Sequence, residues 1–300
     1  MSERIPTANQ MYFGELPDEP AHVEALEVVF FKSVGLPNGT WKTTSHRRLD
    51  DLNAIVQQHL PSHRPLDVMD VACSSAVSSV EWLESLQQAG VDCRMVAGDA
   101  SVNAFVLSIG PNLHALVDRH GRTMQYEIGG LGLEVPLRKR KIPRYGLQVL
   151  LIKTLARLLG PTLSDPQHAA RGSKWGMRWR AVQLVSPSVL RRRHIEVIED
   201  DILVNQSFVR CFDVLRAANI LNLGYFDAAT LTAMLQNLRG RLRDGGVLVV
   251  CRTTRDNVNH GTVFGLDAAR NLRVLARIND GSEIESIALG LPPENFRIAE

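Results

Sequence analysis

The stretch "PLDVMDVACSSAVSSVEW", residues 65–82, decides the predicted fold of the chain. An apolar run meets an acidic residue, Asp70, and a loop of small residues then leads into a helix-like pattern. Nucleotide-binding turns of this shape usually contain glycines, because glycine adopts a left-handed backbone without steric cost. Here Ala72, Ser74 and Ala76 stand where those glycines are expected. The stretch therefore predicts a buried strand, a tight loop and a crossover helix.

Strand and helix patterns alternate along much of the remaining chain. Short apolar runs bounded by turns are typical of strands buried on both faces, as in a parallel sheet. The pattern predicts an α/β fold: a doubly wound, mostly parallel seven-stranded sheet with a C-terminal antiparallel hairpin. The predicted strands are 66–72, 92–101, 194–202, 211–221 and 247–253, and the predicted helices are 76–90, 186–193 and 227–246. The hairpin is predicted from strands 271–278 and 283–291, joined at Asn279-Asp280-Gly281.

The same patterns divide the chain into three predicted parts. Helical spacing of apolar residues predicts helices at 19–35 and 43–61, the second capped by Ser45. Alternating residues around His120-Gly121 predict a hairpin, after which the parallel order resumes only near residue 184. The predicted parts are a helical N-terminal segment (1–64), a sheet domain (65–103 and 184–300) and an inserted cap (104–183).

Positive charge is concentrated in and around the insertion. Residues 132–194 contain 14 Lys/Arg and 2 Asp/Glu, a net charge of +12, whereas the rest of the chain contains 20 and 30, a net charge of −10. Three interpretations stay open: a cap packed on the core, an interfacial helix over 138–159 on an anionic membrane, and a nucleic-acid surface. Trp175 and Trp179, which lie among basic residues, would suit base stacking. We expect a small-molecule or lipid-like substrate ahead of nucleic acid.

The composition excludes several classes of protein. With 45% hydrophobic and 22% charged residues, the chain reads as an ordinary globular protein. No signal peptide is visible, and the longest apolar stretch, 145–160, contains Lys153 and Arg157 and is too short to span a bilayer. Four cysteines without CxxC spacing indicate buried thiols, and no histidine spacing predicts a metal site. We expect a cytoplasmic protein, peripheral to the inner face of the membrane if the interfacial helix is used.

Polar side chains follow the predicted parallel strands, where ligands of such sheets bind. Asp99 ends the second strand, where a carboxylate can accept hydrogen bonds from ribose hydroxyls. Asp200 and Asp201 end the next parallel strand, and Asn219 follows the fourth. The sequence therefore predicts a nucleotide-type site at the carboxyl edge of the sheet.

These motifs resemble those of the class I S-adenosylmethionine (SAM)-dependent methyltransferases, which have a Rossmann-like fold. The resemblance covers roughly residues 46–103 and 184–290. "VMDVACSSA" resembles the first family motif but lacks its glycines, "VAGDAS" the second, "EVIEDDI" the third and "FDVLRAANILNLGYFD" the fourth. "LRDGGVLVV" resembles the turn before the fifth strand.

The resemblance implies SAM as cofactor and assigns roles to individual residues. Asp99 would bind the ribose, Asp201 the adenine amino group with Asp200 as its rival, and Ile202 would pack on the adenine ring. Asn219 would contact the amino-acid end of the cofactor. The full set implied for cofactor binding is Asp70, Ala72, Cys73, Ser74, Ser75, Asp99, Ala100, Asp201, Ile202 and Asn219.

The resemblance also implies a function, methyl transfer to an anionic, apolar or amphipathic acceptor. The likeness of "AANILNLGYFD" to carboxyl methyltransferases favours an oxygen acceptor. Because the methyl group of SAM is already activated, no strong nucleophile is required of the protein, and the sequence singles out no catalytic residue. Two alternatives remain: a methyltransferase-like protein that no longer catalyses and serves in binding or membrane docking, and a nicotinamide dehydrogenase.

Overall fold

The computed structural model describes residues 4–36, 41–42, 46–63, 65–135, 154, 177–191 and 195–294, which fall into two compact units. In chain order the described elements are α1 (Ala8–Phe13), α2 (Pro20–Ser33), α3 (Asp50–Gln57), β1 (Leu66–Val71), α4 (Val77–Gln88), β2 (Cys93–Asp99), β3 (Asn103–Ile109), β4 (Leu113–Asp118), β5 (Thr123–Ile128), β6 (Leu131–Glu134), β7 (Met177–Gln183), α5 (Pro187–Arg191), β8 (Ile195–Glu199), β9 (Phe212–Ala218), α6 (Ala228–Arg241), β10 (Leu242–Thr253), β11 (Asn259–Leu266), β12 (Leu272–Ile278) and α7 (Glu285–Leu289).

The first unit, which we call the parallel unit, comprises His46–Ala100 and Arg192–Glu300. Its seven strands lie in the order β12-β11-β10-β9-β1-β2-β8. The five strands from β10 to β8 are parallel, and β11 and β12 are antiparallel. The predicted α/β fold with a mostly parallel seven-stranded sheet is therefore confirmed, including the five parallel strands expected from the apolar runs.

Both faces of this sheet are covered, which explains why its strands are nearly continuously apolar. On one face, Val68 and Val214 pack against α3 and α4 through residues such as Leu52 and Trp82. On the other face, the sheet packs against α6 and α7. At roughly 25 cal/mol per Å² of apolar surface, burial on two faces is the main stabilising contribution to such a sheet. Because β1 is the middle one of the five parallel strands, it is flanked by β9 on one side and β2 on the other.

The C-terminal region corrects the predicted hairpin. The antiparallel pair is formed by β11 and β12, and the predicted strand over 283–291 is wrong, because α7 lies there. Ile284, Ala288 and Leu291 recur at helical spacing and are buried in the cluster on α6. Asn279-Asp280-Gly281 thus leads from a strand to a helix. Glu285 holds this helix to the sheet through an ion pair with Arg277 at 2.7 Å.

Between β8 and β9 the parallel connection is made by residues 200–211 without a helix. We call residues 200–211 the strap, and side chains of α6 form hydrogen bonds with its backbone. The Asn237 amide donates to the backbone oxygens of Ile202 (2.7 Å) and Asn205 (2.8 Å). The strap backbone is thereby satisfied beside the sheet, as polar groups at a covered surface require.

The second unit comprises Met1–Ser45 and Ser101–Arg191, and we call it the antiparallel unit. Its strands form a five-stranded sheet in the order β6-β5-β4-β3-β7. The hairpin predicted at His120-Gly121 is confirmed as β4 and β5. Helices α1 and α2 pack on one face of this sheet, burying Phe30 and Phe31. Apart from residue 154, the interfacial helix predicted over 138–159 lies outside the described residues, as do Trp175 and Ser45.

The compact units divide the chain differently from the predicted domains 1–64, 65–103 with 184–300, and 104–183. Residues 1–45 belong with the insertion, because α1 and α2 bury their apolar faces on its sheet. Residues 46–63 belong with the parallel unit, because Leu49, Leu52 and Val56 join its core.

Gly98 near the end of β2 occupies a position with no room for a side chain. A Cβ there would lie 2.8 Å from the Met69 Cε and 3.1 Å from the Asp200 Cβ. We expect Gly98→Ala to lower the free energy of unfolding by about 1–3 kcal/mol, the usual cost of overpacking a core. Urea unfolding monitored by circular dichroism measures it. Gly240→Ala is the matched control: a Cβ at this helical glycine would lie 3.8 Å from the Glu294 Oε1, an ordinary van der Waals contact, so the variant should be neutral or more stable by up to ~1 kcal/mol.

Candidate functional site

The strand order places the candidate site at the carboxyl edge of the parallel unit. Chain connections run to one side of β1 through β2 and β8, and to the other side through β9 and β10. The order therefore reverses between β1 and β9, and doubly wound sheets bind their ligands outside the strand ends at such a point. The loop after β1, residues 72–76, lies at this point.

The small-residue loop (72–76) retains the backbone of a glycine loop without containing glycine. Ala72, Ser74 and Ala76 have φ angles of 55°, 57° and 61°, all in the left-handed region. For residues with a Cβ this conformation costs roughly 1–2 kcal/mol each. The three positions at which the sequence departs from the glycine pattern are thus the three that need glycine-like conformations.

Two of the three added Cβ atoms lie against protein atoms. Ala76 is fully buried, so its methyl group is enclosed by protein atoms. Ala72 packs against the core cluster that contains Met69 and Val71. Two of the three methyl-sized groups therefore face the interior.

Asp99 ties this loop to the end of β2. Its Oδ2 accepts a hydrogen bond from the Ser74 N–H at 2.9 Å. One residue earlier, the Cys73 N–H donates to the Gly98 carbonyl, also at 2.9 Å. The carboxylate predicted to bind ribose hydroxyls therefore lies beside the small-residue loop, as a nucleotide-type site requires.

Asp70, near the end of β1, is paired with an arginine inside the protein. Only 2% exposed, it accepts hydrogen bonds from Arg216 Nε to Oδ1 (2.9 Å) and from Arg216 Nη2 to Oδ2 (2.7 Å). Its Oδ2 also accepts from the Ser79 hydroxyl at 2.6 Å. The structure thus places Asp70 in a buried ion pair with Arg216, and its assignment to cofactor binding stays a prediction.

Arg216 was not singled out from the sequence. It lies in β9 directly beside Asp70 in β1, and it is fully buried. Its other donors reach the Asn53 Oδ1 (3.1 Å) and the Ser78 carbonyl (2.8 Å), and its guanidinium stacks 4.3 Å from the Trp82 ring. The signal in the sequence is an arginine inside the apolar run "FDVLRAA", since buried arginines nearly always have a paired partner.

The two aspartates after β8 have separate surroundings. Asp200 is buried and paired with Arg241, whose Nη1 lies 2.6 Å from its Oδ2. Asp201 is exposed and its Oδ1 accepts the Leu203 N–H at 2.9 Å. Asp200 is therefore engaged in the fold, and Asp201 is the carboxylate of the two that faces solvent. Ile202, expected to pack on adenine, is 6% exposed and belongs to the core cluster on α6.

Asn219 joins the carboxyl ends of β9 and β10. It adopts a left-handed backbone with φ of 62°. Its Oδ1 accepts the Thr253 N–H at 2.7 Å, and its own N–H donates to the Cys251 carbonyl at 2.8 Å. These bonds fix the loop after β9 beside the switch point. Contact with a cofactor through this side chain stays a prediction.

The remaining predicted residues differ in accessibility. Cys73 and Ser75 are buried and Ala100, directly after Asp99, is exposed. None of the four cysteines forms a disulfide bond. Burial raises the pKa of the Cys251 thiol to about 12, so this thiol stays protonated at neutral pH.

Within the described parts of the chain, no three His, Cys, Asp or Glu side chains come together as a metal-ligand group. No described helix combines the length and apolar character needed to cross a bilayer.

No family model and no curated protein match this chain. It is similar to the solved CMeT domain of the citrinin polyketide synthase at 14% identity and a TM-score of 0.35, over 82% of this chain and 42% of that one. A protein from Pyrococcus horikoshii has 12% identity and a TM-score of 0.36, over 84% and 85% of the two chains. The N-methyltransferase NodS from Bradyrhizobium japonicum, in complex with S-adenosylhomocysteine, has 13% identity and a TM-score of 0.30, over 68% and 62%. This chain thus spans less than two thirds of the citrinin synthase and NodS chains.

Replacing Ser74 with glycine tests the backbone strain in the small-residue loop. We expect Ser74→Gly to raise the free energy of unfolding by about 0.5–1 kcal/mol, because relief of left-handed strain exceeds the entropy that glycine adds to the unfolded chain. Ser78→Gly, in the first turn of α4, is the matched control and should lose about 0.5–1 kcal/mol. Urea unfolding compares the two. Equal destabilisation by both substitutions would contradict strain at residue 74.

The two aspartates after β8 should separate in stability. Asp200→Asn leaves the buried Arg241 uncompensated, and we expect a loss of about 3–5 kcal/mol in the free energy of unfolding. Asp201→Asn at the exposed neighbour should change stability by about 0.5 kcal/mol at most. Thermal and urea unfolding measure both. Similar losses for the two variants would show that the buried pair is not the source of the difference.

Proposed function

We propose that this chain is a SAM-dependent methyltransferase. The observation that carries the proposal is the small-residue loop beside Asp99, in which three residues other than glycine adopt left-handed conformations. Together they cost on the order of 3 kcal/mol or more. Non-glycine residues persist in such conformations where the surroundings over-determine them, and they cluster at functional sites. A tight loop at the switch point, next to a carboxylate at the end of β2, suits a nucleoside cofactor.

The described residues would hold the parts of SAM as follows. Asp99 would accept hydrogen bonds from the ribose hydroxyls, and Asp201, whose carboxylate is exposed, would accept one from the adenine amino group. The backbone of the small-residue loop, including Ser75, would lie along the methionine part. Asn219 would limit the site on the β9 side. Ile202 would contribute the apolar wall behind the adenine.

The chemistry places modest demands on the protein. When bound, the cofactor supplies a methyl group on a sulfonium, which transfers by in-line displacement. The chain's own residues then orient the acceptor and exclude water, and a general base is needed only where the acceptor must lose a proton.

For the acceptor we propose an anionic, apolar or amphipathic small molecule or lipid-like compound, methylated at oxygen. The concentration of positive charge in residues 132–194 supports an anionic acceptor. We further propose that the protein acts in the cytoplasm and that the polybasic stretch 138–159 can bring it to an anionic membrane surface.

Calorimetric titration with SAM, S-adenosylhomocysteine and NAD tests the proposal. We expect both adenosyl compounds to bind and NAD not to bind. Asp99→Asn should weaken binding of S-adenosylhomocysteine about 10- to 100-fold, because charge-assisted hydrogen bonds contribute about 1.5–3 kcal/mol.

Asp92→Asn, at the opposite end of the same strand, is the matched control and should bind like the wild type. If the wild type binds neither adenosyl compound, the proposal is wrong. Binding without methyl transfer to any anionic acceptor tested would favour the catalytically inactive alternative.

A further inference from the structure

We propose that Arg216 is a positioning residue for the small-residue loop: its guanidinium holds the strand before the loop and the helix after it, and so keeps the strained backbone in its binding conformation. The inference rests on the proposed function for its consequence, cofactor affinity. Its structural part, the restraint of the loop, stands by itself and can be measured without cofactor.

One guanidinium reaches both ends of the loop. On the strand side, two of its nitrogens donate to the Asp70 carboxylate, two residues before Ala72. On the helix side, Nη2 donates to the Ser78 carbonyl, two residues after Ala76, at 2.8 Å. The Ser79 hydroxyl closes the network by donating to Asp70 at 2.6 Å. The two ends of the loop are therefore held by one network.

The hydrogen-bond network around Arg216 is shielded from water. Arg216 is fully buried and Asp70 is 2% exposed. The Trp82 ring covers the guanidinium, and the Asn53 side chain accepts from Nη1. Buried ion pairs often give little net stability over apolar replacements, and the role that we propose for this pair is therefore conformational specificity. Here the conformation specified is that of the loop between the two anchored ends.

The loop needs this restraint because its backbone is strained at Ala72, Ser74 and Ala76. With glycine at 72, 74 and 76, the left-handed backbone would be available without steric cost. With alanine and serine, relaxed conformations compete with the strained one, so the ends must be held for the strained one to prevail. Removal of the guanidinium should therefore loosen the loop more when it lacks glycine than when strain has been relieved.

Titration calorimetry of the full chain with S-adenosylhomocysteine tests the proposal on Arg216→Met and Arg216→Lys. We expect Met to weaken binding about tenfold or more and Lys, which keeps the charge opposite Asp70 but not the planar fork, to recover part of the loss. Arg270→Met is the matched control. Arg270 is also buried in the same unit, at 5% exposed, but its donors reach Asp244 at 2.6 Å and the Leu242 carbonyl at 3.0 Å, away from the loop. That variant should bind within about twofold of the wild type even where its stability falls.

A double variant tests the coupling to strain. In a Ser74→Gly background, we expect Arg216→Met to weaken binding about threefold instead of about tenfold, since coupled sites are not additive. Equal losses in the two backgrounds would overturn the coupling between restraint and strain. Wild-type affinity in Arg216→Met would overturn the positioning role as a whole.

Hydrogen exchange separates this inference from the proposed function. In the cofactor-free protein, amides of residues 72–78 should exchange about tenfold faster in Arg216→Met than in the wild type, and at the wild-type rate in Arg270→Met. Unchanged exchange in both Arg216 variants overturns the restraint whatever the cofactor result. Faster exchange in a protein that does not bind S-adenosylhomocysteine would uphold the restraint and refute the proposed function.

Discussion

The ion pair between Asp70 and Arg216 is the interaction on which the carboxyl edge of the parallel sheet depends. It joins β1 to β9, the two strands between which the chain order reverses. Two charges with side chains no more than 3% exposed would be unfavourable without full hydrogen bonding. Here the partners are drawn from two other elements, since Asn53 belongs to α3 and Ser78 to α4. The requirement to satisfy one guanidinium therefore positions two helices and the loop between strand and helix.

A second buried ion pair, between Asp200 and Arg241, fixes chain segments on the opposite face of the sheet. Its arginine comes from the last turn of α6 and also donates to the Asn205 carbonyl at 2.9 Å. That bond fixes the strap that replaces a crossover helix. Asp200 packs closely on β2, since a Cβ at Gly98 would lie 3.1 Å from the Asp200 Cβ. One charged pair on each face thus fixes the segments that leave the carboxyl ends of β1 and β8. Because Asp200 is held in its buried pair, the next residue, Asp201, is exposed to solvent.

Three features could be predicted from the sequence because their signals are local: the parallel strands, the tight loop after β1, and the position of Asp99 at the end of β2. Periodic burial marks a strand within a few residues, and an acid at a strand end needs no distant partner to be noticed. The partner of Asp70 was out of reach, since Arg216 is 146 positions away and pairing depends on strand order. The strand expected at 283–291 failed because short apolar runs fit either period, and packing on α6 selected the helix. The grouping of residues 1–45 with 101–191 likewise follows from a shared core that no local pattern encodes.

Replacement of glycine by alanine and serine in a binding loop has two opposed effects. A Cβ raises the energy of the left-handed conformation, but it also removes many alternative conformations that glycine would visit. A glycine loop must therefore lose more freedom when a ligand orders it. A loop of small residues whose ends are held by a buried ion pair has lost much of that freedom already during folding. The left-handed conformations of Ala72, Ser74 and Ala76 therefore raise the backbone energy of the folded protein. A loop of glycines would avoid this strain but would lose more conformational entropy when a ligand binds.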